Sequence, residues 1–188
     1  MARDLHCRVT CTALSQEVIG VTDNTHHILP LSPGVLLGIG LGGFVDGIVL
    51  HQILQWHHML TSAGYPADSV RNLTINTLFD GLFHASTWIA TGVGLILLHR
   101  AVRRGVAWSG YRLLGGMAIG WGSFNLVEGV VDHHLLGLHH VKEAAANPLV
   151  WDLGFLAFGA VLVIAGVSLS RRGVPRAASV ETTARRAA

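Results

Sequence analysis

Charge is scarce in this sequence. Only 13% of its 188 residues are Asp, Glu, Lys or Arg, against about 25% in ordinary soluble domains. Hydrophobic residues make up 51%, and the mean hydropathy is +0.49. So few charges cannot cover a water-facing surface, which excludes an ordinary soluble domain. The formal net charge is only +2, so nucleic-acid binding has no electrostatic support. Cysteine is nearly absent. Cys7 and Cys11 both lie in the first dozen residues and cannot staple the body of the chain; the CxxxC pair reads as incidental to a tail. Methionine is short as well, with Met59 and Met117 the only ones after Met1. That removes the thioether ligands that copper(I) prefers.

What the chain has instead is long apolar runs. Four are long enough to cross a bilayer as helices, which takes about 20 residues. They fall at about residues 33–57, 75–98, 112–135 and 148–169, within a transmembrane domain over 29–172. The expected fold is therefore all-α, an integral membrane four-helix bundle. Residues 1–28 fall outside the apolar pattern, have no signal-peptide core, and are expected to be a flexible arm or a misassigned start. Residues 173–188 are small, polar and basic, and are expected to be a disordered tail. Arginine orients the bundle. Arg100, Arg103, Arg104 and Arg112 flank the middle loop, and Arg171, Arg172 and Arg176 follow the last span. Positive residues mark the cytoplasmic side, so both termini are expected there, and the loops near residues 58–74 and 136–147 outside.

Histidine is abundant, at 12 residues against 13 Lys and Arg together. It concentrates in a segment that occurs twice. A shift of 82 positions lays VEGVVDHHLLGLHH (Val127–His140) on VDGIVLHQILQWHH (Val45–His58). Asp46 then meets Glu128, His51 meets His133, and His57–His58 meet His139–His140. Gly34, Gly38 and Gly40 meet Gly116, Gly120 and Gly122. Asp80 in LFDGLF resembles Asp152 in VWDLGF at a different offset. The simplest reading is a duplicated two-helix unit, both copies in the same orientation, related by an axis along the membrane normal.

The embedded polar residues are layered. Asp46, His51, Asp80, His84, Glu128, Asp132, His133 and Asp152 all fall in the outer half of the spans. On an ideal helix Asp46 lies roughly 16 Å and His51 roughly 9 Å below His57. Asp46 and His51 would also point about 140° apart, so they share a centre only if the core is broad or the helix bulged. Carboxylates in lipid cost at least a few kcal/mol, so they pair, face a cavity or serve function. Five acids with almost no nearby Lys or Arg make a bound divalent cation one solution. Carboxylate with imidazole suits iron, zinc, manganese or copper(II), and carboxylate–His bundles are a recurring dinuclear design. The alternative is a hydrogen-bonded polar plug with several acids protonated. His57, His58, His139 and His140, nearer the interface, read as ligands, an entry funnel for cations, or partners that orient ligands. His84 breaks the repeat, since Leu156 stands at its counterpart.

From Pro33 onward, GVLLGIGLGGFVDGIVLHQILQWHH resembles the signature of a family of predicted four-span bacterial membrane proteins, domain of unknown function 2243. NTLFDGLFHASTW and NLVEGVVDHHLLGLHHV resemble the same family, and the match extends over residues 33–170. The resemblance implies membrane topology, in a bacterial plasma membrane, and adds no chemistry. Several functions remain open: a non-haem metalloenzyme; a protein handling copper, zinc or iron for a respiratory enzyme; a haem protein with His51 and His133 as axial ligands, which the surrounding carboxylates oppose; and a metal-free scaffold. Expected partners are the lipid bilayer and a metal ion, with a homo-oligomer or a respiratory-enzyme complex as further candidates.

Overall fold

The computed structural model describes residues 28–173. The expectations for the arm and tail, with Cys7 and Cys11, therefore lie almost wholly outside the described residues. Four helices follow in order: α1 (Ser32–Phe44), α2 (Val70–Arg103), α3 (Gly110–Glu128) and α4 (Pro148–Arg172). Each odd-numbered helix runs on into a π-helical segment, Val45–Ile53 after α1 and Gly129–Leu135 after α3. The starts are legible locally. Pro stands in the first turn of α1 and of α4, where its missing N–H costs nothing. Ser69 and Ser109 cap α2 and α3 by accepting from Asn72 N–H and Arg112 N–H.

The fold is inside-out for water. Among the described residues only Leu29, Ala101 and Val141 are fully buried hydrophobics, whereas thirteen polar or charged residues are buried. Large apolar side chains such as Trp88, Leu95 and Ile164 point outward. Only a lipid surround makes that favourable, because an apolar exterior of this extent in water would drive association. Ser32–Ile53, Val70–Arg103 and Pro148–Arg172 are each long and apolar enough to cross a membrane. The third expected span, α3 with its π extension, is not among them. It packs against both α1 and α4 and carries Asn125, Glu128 and Asp132 inward or along its edge, so its composition answers to protein more than to lipid.

Glycine lets α1 and α3 touch backbone to backbone. A Cβ on Gly38 would stand 2.0 Å from the Met117 carbonyl oxygen, and one on Gly120 would stand 2.0 Å from that of Val35. These contacts form a reciprocal pair, each the other's counterpart 82 residues on. The second and fourth helices pair likewise at an offset of 72. Gly40 abuts Thr87 and Thr91 of α2, as Gly122 abuts Gly159 and Val163 of α4. The loops after the two π segments lie at one end of the bundle, joined by Glu143 N–H to Trp56 C=O and Ser62 N–H to Leu138 C=O. The arginine-rich connection is at the other end, where Arg112 Nε donates to the Leu29 carbonyl.

Candidate metal centre

The π segments decide the geometry of the site. A π-helix hydrogen-bonds five residues apart, so residues spaced by five come to lie on one face. Asp46 and His51 have that spacing, and so do Glu128 and His133. The 140° divergence expected on an α-helix is thereby removed: His51 Nε2 lies 3.0 Å from Asp46 Oδ2. The depth expected for His57 is overturned too. The helix stops at Ile53, not at residue 57, and the chain folds back through Gln55, whose φ is +48°. The His51 and His57 ring centroids are 4.4 Å apart, where a continued α-helix would hold them roughly 9 Å apart in depth. Gly137, the counterpart of Gln55, has φ +58° and makes the same turn after the second π segment.

Six donors meet in the core: Asp46, His51 and His57 from the first copy of the motif, and Glu128, His133 and His139 from the second. Three overlapping groups each bring their ligand atoms within 4.8 Å of one another: His51, His57 and His139; Glu128, His133 and His139; Asp46, His51 and Glu128. All six residues are buried. The His57 and His139 rings stack at 4.5 Å with their planes 3° apart. The Nε2 atoms of His57 and His139 face Asp46 and Glu128 respectively, each at 3.9 Å.

Tautomers follow from the far side of each ring. His57 Nδ1 donates to the Val141 carbonyl at 2.8 Å, and His139 Nδ1 donates to the Met59 carbonyl at 3.2 Å. A carbonyl only accepts, so Nδ1 carries the proton in both rings. In the neutral imidazole Nε2 then presents a lone pair to the cluster. Both rings lie in the loops that follow the π segments. Burial, with the neighbouring imidazoles, holds them below the usual His range, His57 at about 3. His51 Nδ1 meets Asp80 Oδ1 at 2.9 Å. Hydrogen-bond partners are lacking for Asp46 Oδ2, both oxygens of Glu128, both nitrogens of His133, and Nε2 of His51, His57 and His139. Buried polar atoms are ordinarily paired, and here the unpaired ones converge. The arrangement can hold a metal ion.

The remaining expected residues take other places. Asp80 is saturated: it accepts from Met59 N–H and from Gln52, and its oxygens also meet His51 and His58 Nδ1. Asp152 repeats the pattern, accepting from Val141 N–H at 2.9 Å and meeting His140 Nδ1 at 2.7 Å, with His133 Nδ1 at 3.6 Å. His58 and His140 thus engage carboxylates and lie outside the cluster of unpaired donors. His84 bonds its own helix at the Asp80 carbonyl, and its Nε2 would stand 2.5 Å from a Cβ on Gly47. Asp132 is half-buried beside Glu128 on a groove wall. The main-chain groups of Met59 and Val141 are the participants that sequence reading missed. Each holds an Asp with its N–H and a His from the other copy with its C=O. No side-chain type signals this, although both residues follow the His–His pairs directly, 82 positions apart.

An all-helical bundle with an apolar exterior and a buried cluster of imidazoles and carboxylates defines the class: a membrane protein with a polar core able to hold metal. The family model described as a predicted membrane protein, DUF2243, matches residues 33–173, and the chain belongs to that family. No curated protein and no solved structure matches it.

Proposed function

We propose that this protein is a membrane-embedded non-haem metal protein, with two divalent transition-metal ions held at the outer end of its bundle. One observation carries the reading: backbone carbonyls fix His57 and His139 with bare Nε2 atoms turned into a buried cluster that also holds the Asp46 and Glu128 carboxylates and to which no Lys or Arg contributes among the described residues. Two acceptors face each other at 3.0 Å between His51 and Asp46, an arrangement that a cation or a second proton on the imidazole would stabilise. Each copy of the motif supplies one carboxylate and two imidazoles, the donor set of non-haem iron sites with open positions. Glu128 groups with donors of both copies, as a bridging carboxylate would. Asp80, Asp152 and the Met59 and Val141 carbonyls would orient the imidazoles, the usual duty of groups behind a metal-bound His. The duplicated unit belongs to this reading, supported by the reciprocal contacts at offsets of 82 and 72. So do a membrane crossing by α3 and cytoplasmic termini in a plasma membrane. Iron fits the donor set first, and zinc, manganese and copper(II) share its preferences. Open positions favour catalysis, and a metal-handling role would show instead as rapid exchange.

The test is elemental analysis of the purified full chain, with an absorption spectrum. Two ions per chain are expected, with no haem band, and His51→Ala and His133→Ala are each expected to lose metal while inserting normally. A single ion per chain would remove the dinuclear part. No metal in the wild type, or unchanged metal in both variants, would leave a hydrogen-bonded polar plug with several acids protonated.

A further inference from the structure

Two grooves reach the cluster, one at the carboxyl of each copy of the motif, Glu128 and Asp46. The first is walled by Ile39, Ser123, Phe124, Val127, Glu128 and Asp132 and holds about 270 Å³. The second ends at Asp46, with Leu50, Trp121 and Phe158 in its wall, and holds about 150 Å³. They are counterparts: Glu128 answers to Asp46, Asp132 to Leu50, and Trp121 to Ile39, each at an offset of 82. The repeat is therefore broken at the grooves. The first has Ile39 and the Asp132 carboxyl where the second has an indole and a leucine, and it is the wider of the two although Phe124 stands where the second has Gly42. A third, larger groove between Trp56 and Trp151 reaches none of the clustered donors.

We infer that the Glu128 groove is a lateral entrance from the bilayer, and that its occupant is a lipid-soluble molecule with a hydroxyl head and a single apolar tail. That this entrance leads to a metal centre rests on the function proposed above. The groove opens sideways, since Val127 is 63% exposed on a helix surrounded by apolar exterior. Its wall is mostly apolar, which suits a tail. Its inner end is Glu128, 3% exposed and with neither oxygen hydrogen-bonded. An unpaired buried carboxyl calls for a donor, and Asp132 adds a second acceptor beside it. No basic side chain lines the wall, so a carboxylate or phosphate head would meet repulsion where a hydroxyl finds acceptors. The volume falls just below the range of about 300–1,000 Å³ for small-molecule sites. It suits a head and the first part of one tail, with the rest lying in lipid.

The test is photolabelling of the full chain in phosphatidylcholine vesicles. The probes are a long-chain alcohol carrying a diazirine, the matched alkane without the hydroxyl, and the matched fatty acid. Labelled peptides are mapped by mass spectrometry, and metal content is measured on the same samples. The alcohol should label the segments around Ile39 and Ser123–Val127 several-fold above the alkane. Ile39→Trp, which copies the narrower groove, should cut that labelling several-fold, and Asp132→Leu should reduce the alcohol's excess over the alkane. Equal labelling by alcohol and alkane would overturn the inference, as would stronger labelling by the fatty acid or labelling no greater than at the lipid-facing Trp88 and Ile164. The alcohol-to-alkane comparison in the wild type decides even if Ile39→Trp fails to insert. Metal bound with the groove unlabelled counts against this inference alone. The groove labelled with no metal bound counts against the metal centre alone.

Discussion

Asp80 and Asp152 show how little a residue's type says about its task. Both are buried acids close to histidines, yet their oxygens are occupied by N–H groups and imidazole Nδ1 atoms. Asp46 and Glu128, of similar chemistry, have oxygens without partners. The two pairs should therefore respond differently to neutral substitution. Asp80→Asn should weaken metal affinity by about 10- to 100-fold, the usual effect of losing a group behind a ligand, with the ion still bound at saturation. Glu128→Gln, which removes a proposed ligand, should leave fewer than the wild-type number of ions at any concentration. Metal titration followed by elemental analysis separates the two outcomes. Equal losses in both variants would remove the distinction between ligand and orienting residue.

At the scale of the element, the two π segments are the decisive feature. They convert a spacing of five into a shared face, and each ends in a turn that brings a second histidine back onto the first. The first turn places Gln55 at φ +48°, whereas the second uses Gly137. A non-glycine residue in that region carries strain of order 1–3 kcal/mol. Gln55→Gly should therefore raise stability by about 1 kcal/mol, part of the relief being offset by the greater freedom of glycine when unfolded. Thermal unfolding in detergent checks this, and a lower midpoint would mean that the Gln55 side chain contributes more than its backbone costs. Gly120→Leu tests the other requirement of these helices. Its side chain would run into the Val35 carbonyl, so α1 and α3 must separate. Loss of metal together with loss of stability is the expected outcome.

The whole molecule places its unpaired donors and its arginines at opposite ends. With positive residues on the cytoplasmic side, reporter fusions after Gly105 and after Gly173 should read cytoplasmic, and a fusion near Ala67 external. An external signal at Gly105 would turn the site toward the cytoplasm and would also put the third crossing in doubt. The hydrogen bonds between the two loops that follow the π segments make the halves interdependent. His57 is oriented by Val141 of the second copy, and His139 by Met59 of the first. Neither half by itself orients both of its buried imidazoles.

Composition and the apolar runs sufficed for an all-helical membrane protein, because scarce charge and runs of about 20 apolar residues leave a chain few alternatives in water. The doubled motif likewise made the layer of acids and histidines visible, since residue identities and offsets are properties of the string. Which of the twelve candidate residues face one another was settled only in three dimensions. An α-helical ruler sends Asp46 and His51 apart and keeps His57 distant, and nothing in the residue types announces that the helix loosens to a five-residue repeat and then folds back. The orienting carbonyls of Met59 and Val141 were invisible for a related reason: every residue has a carbonyl, and only packing across the two copies gives these two a histidine to hold.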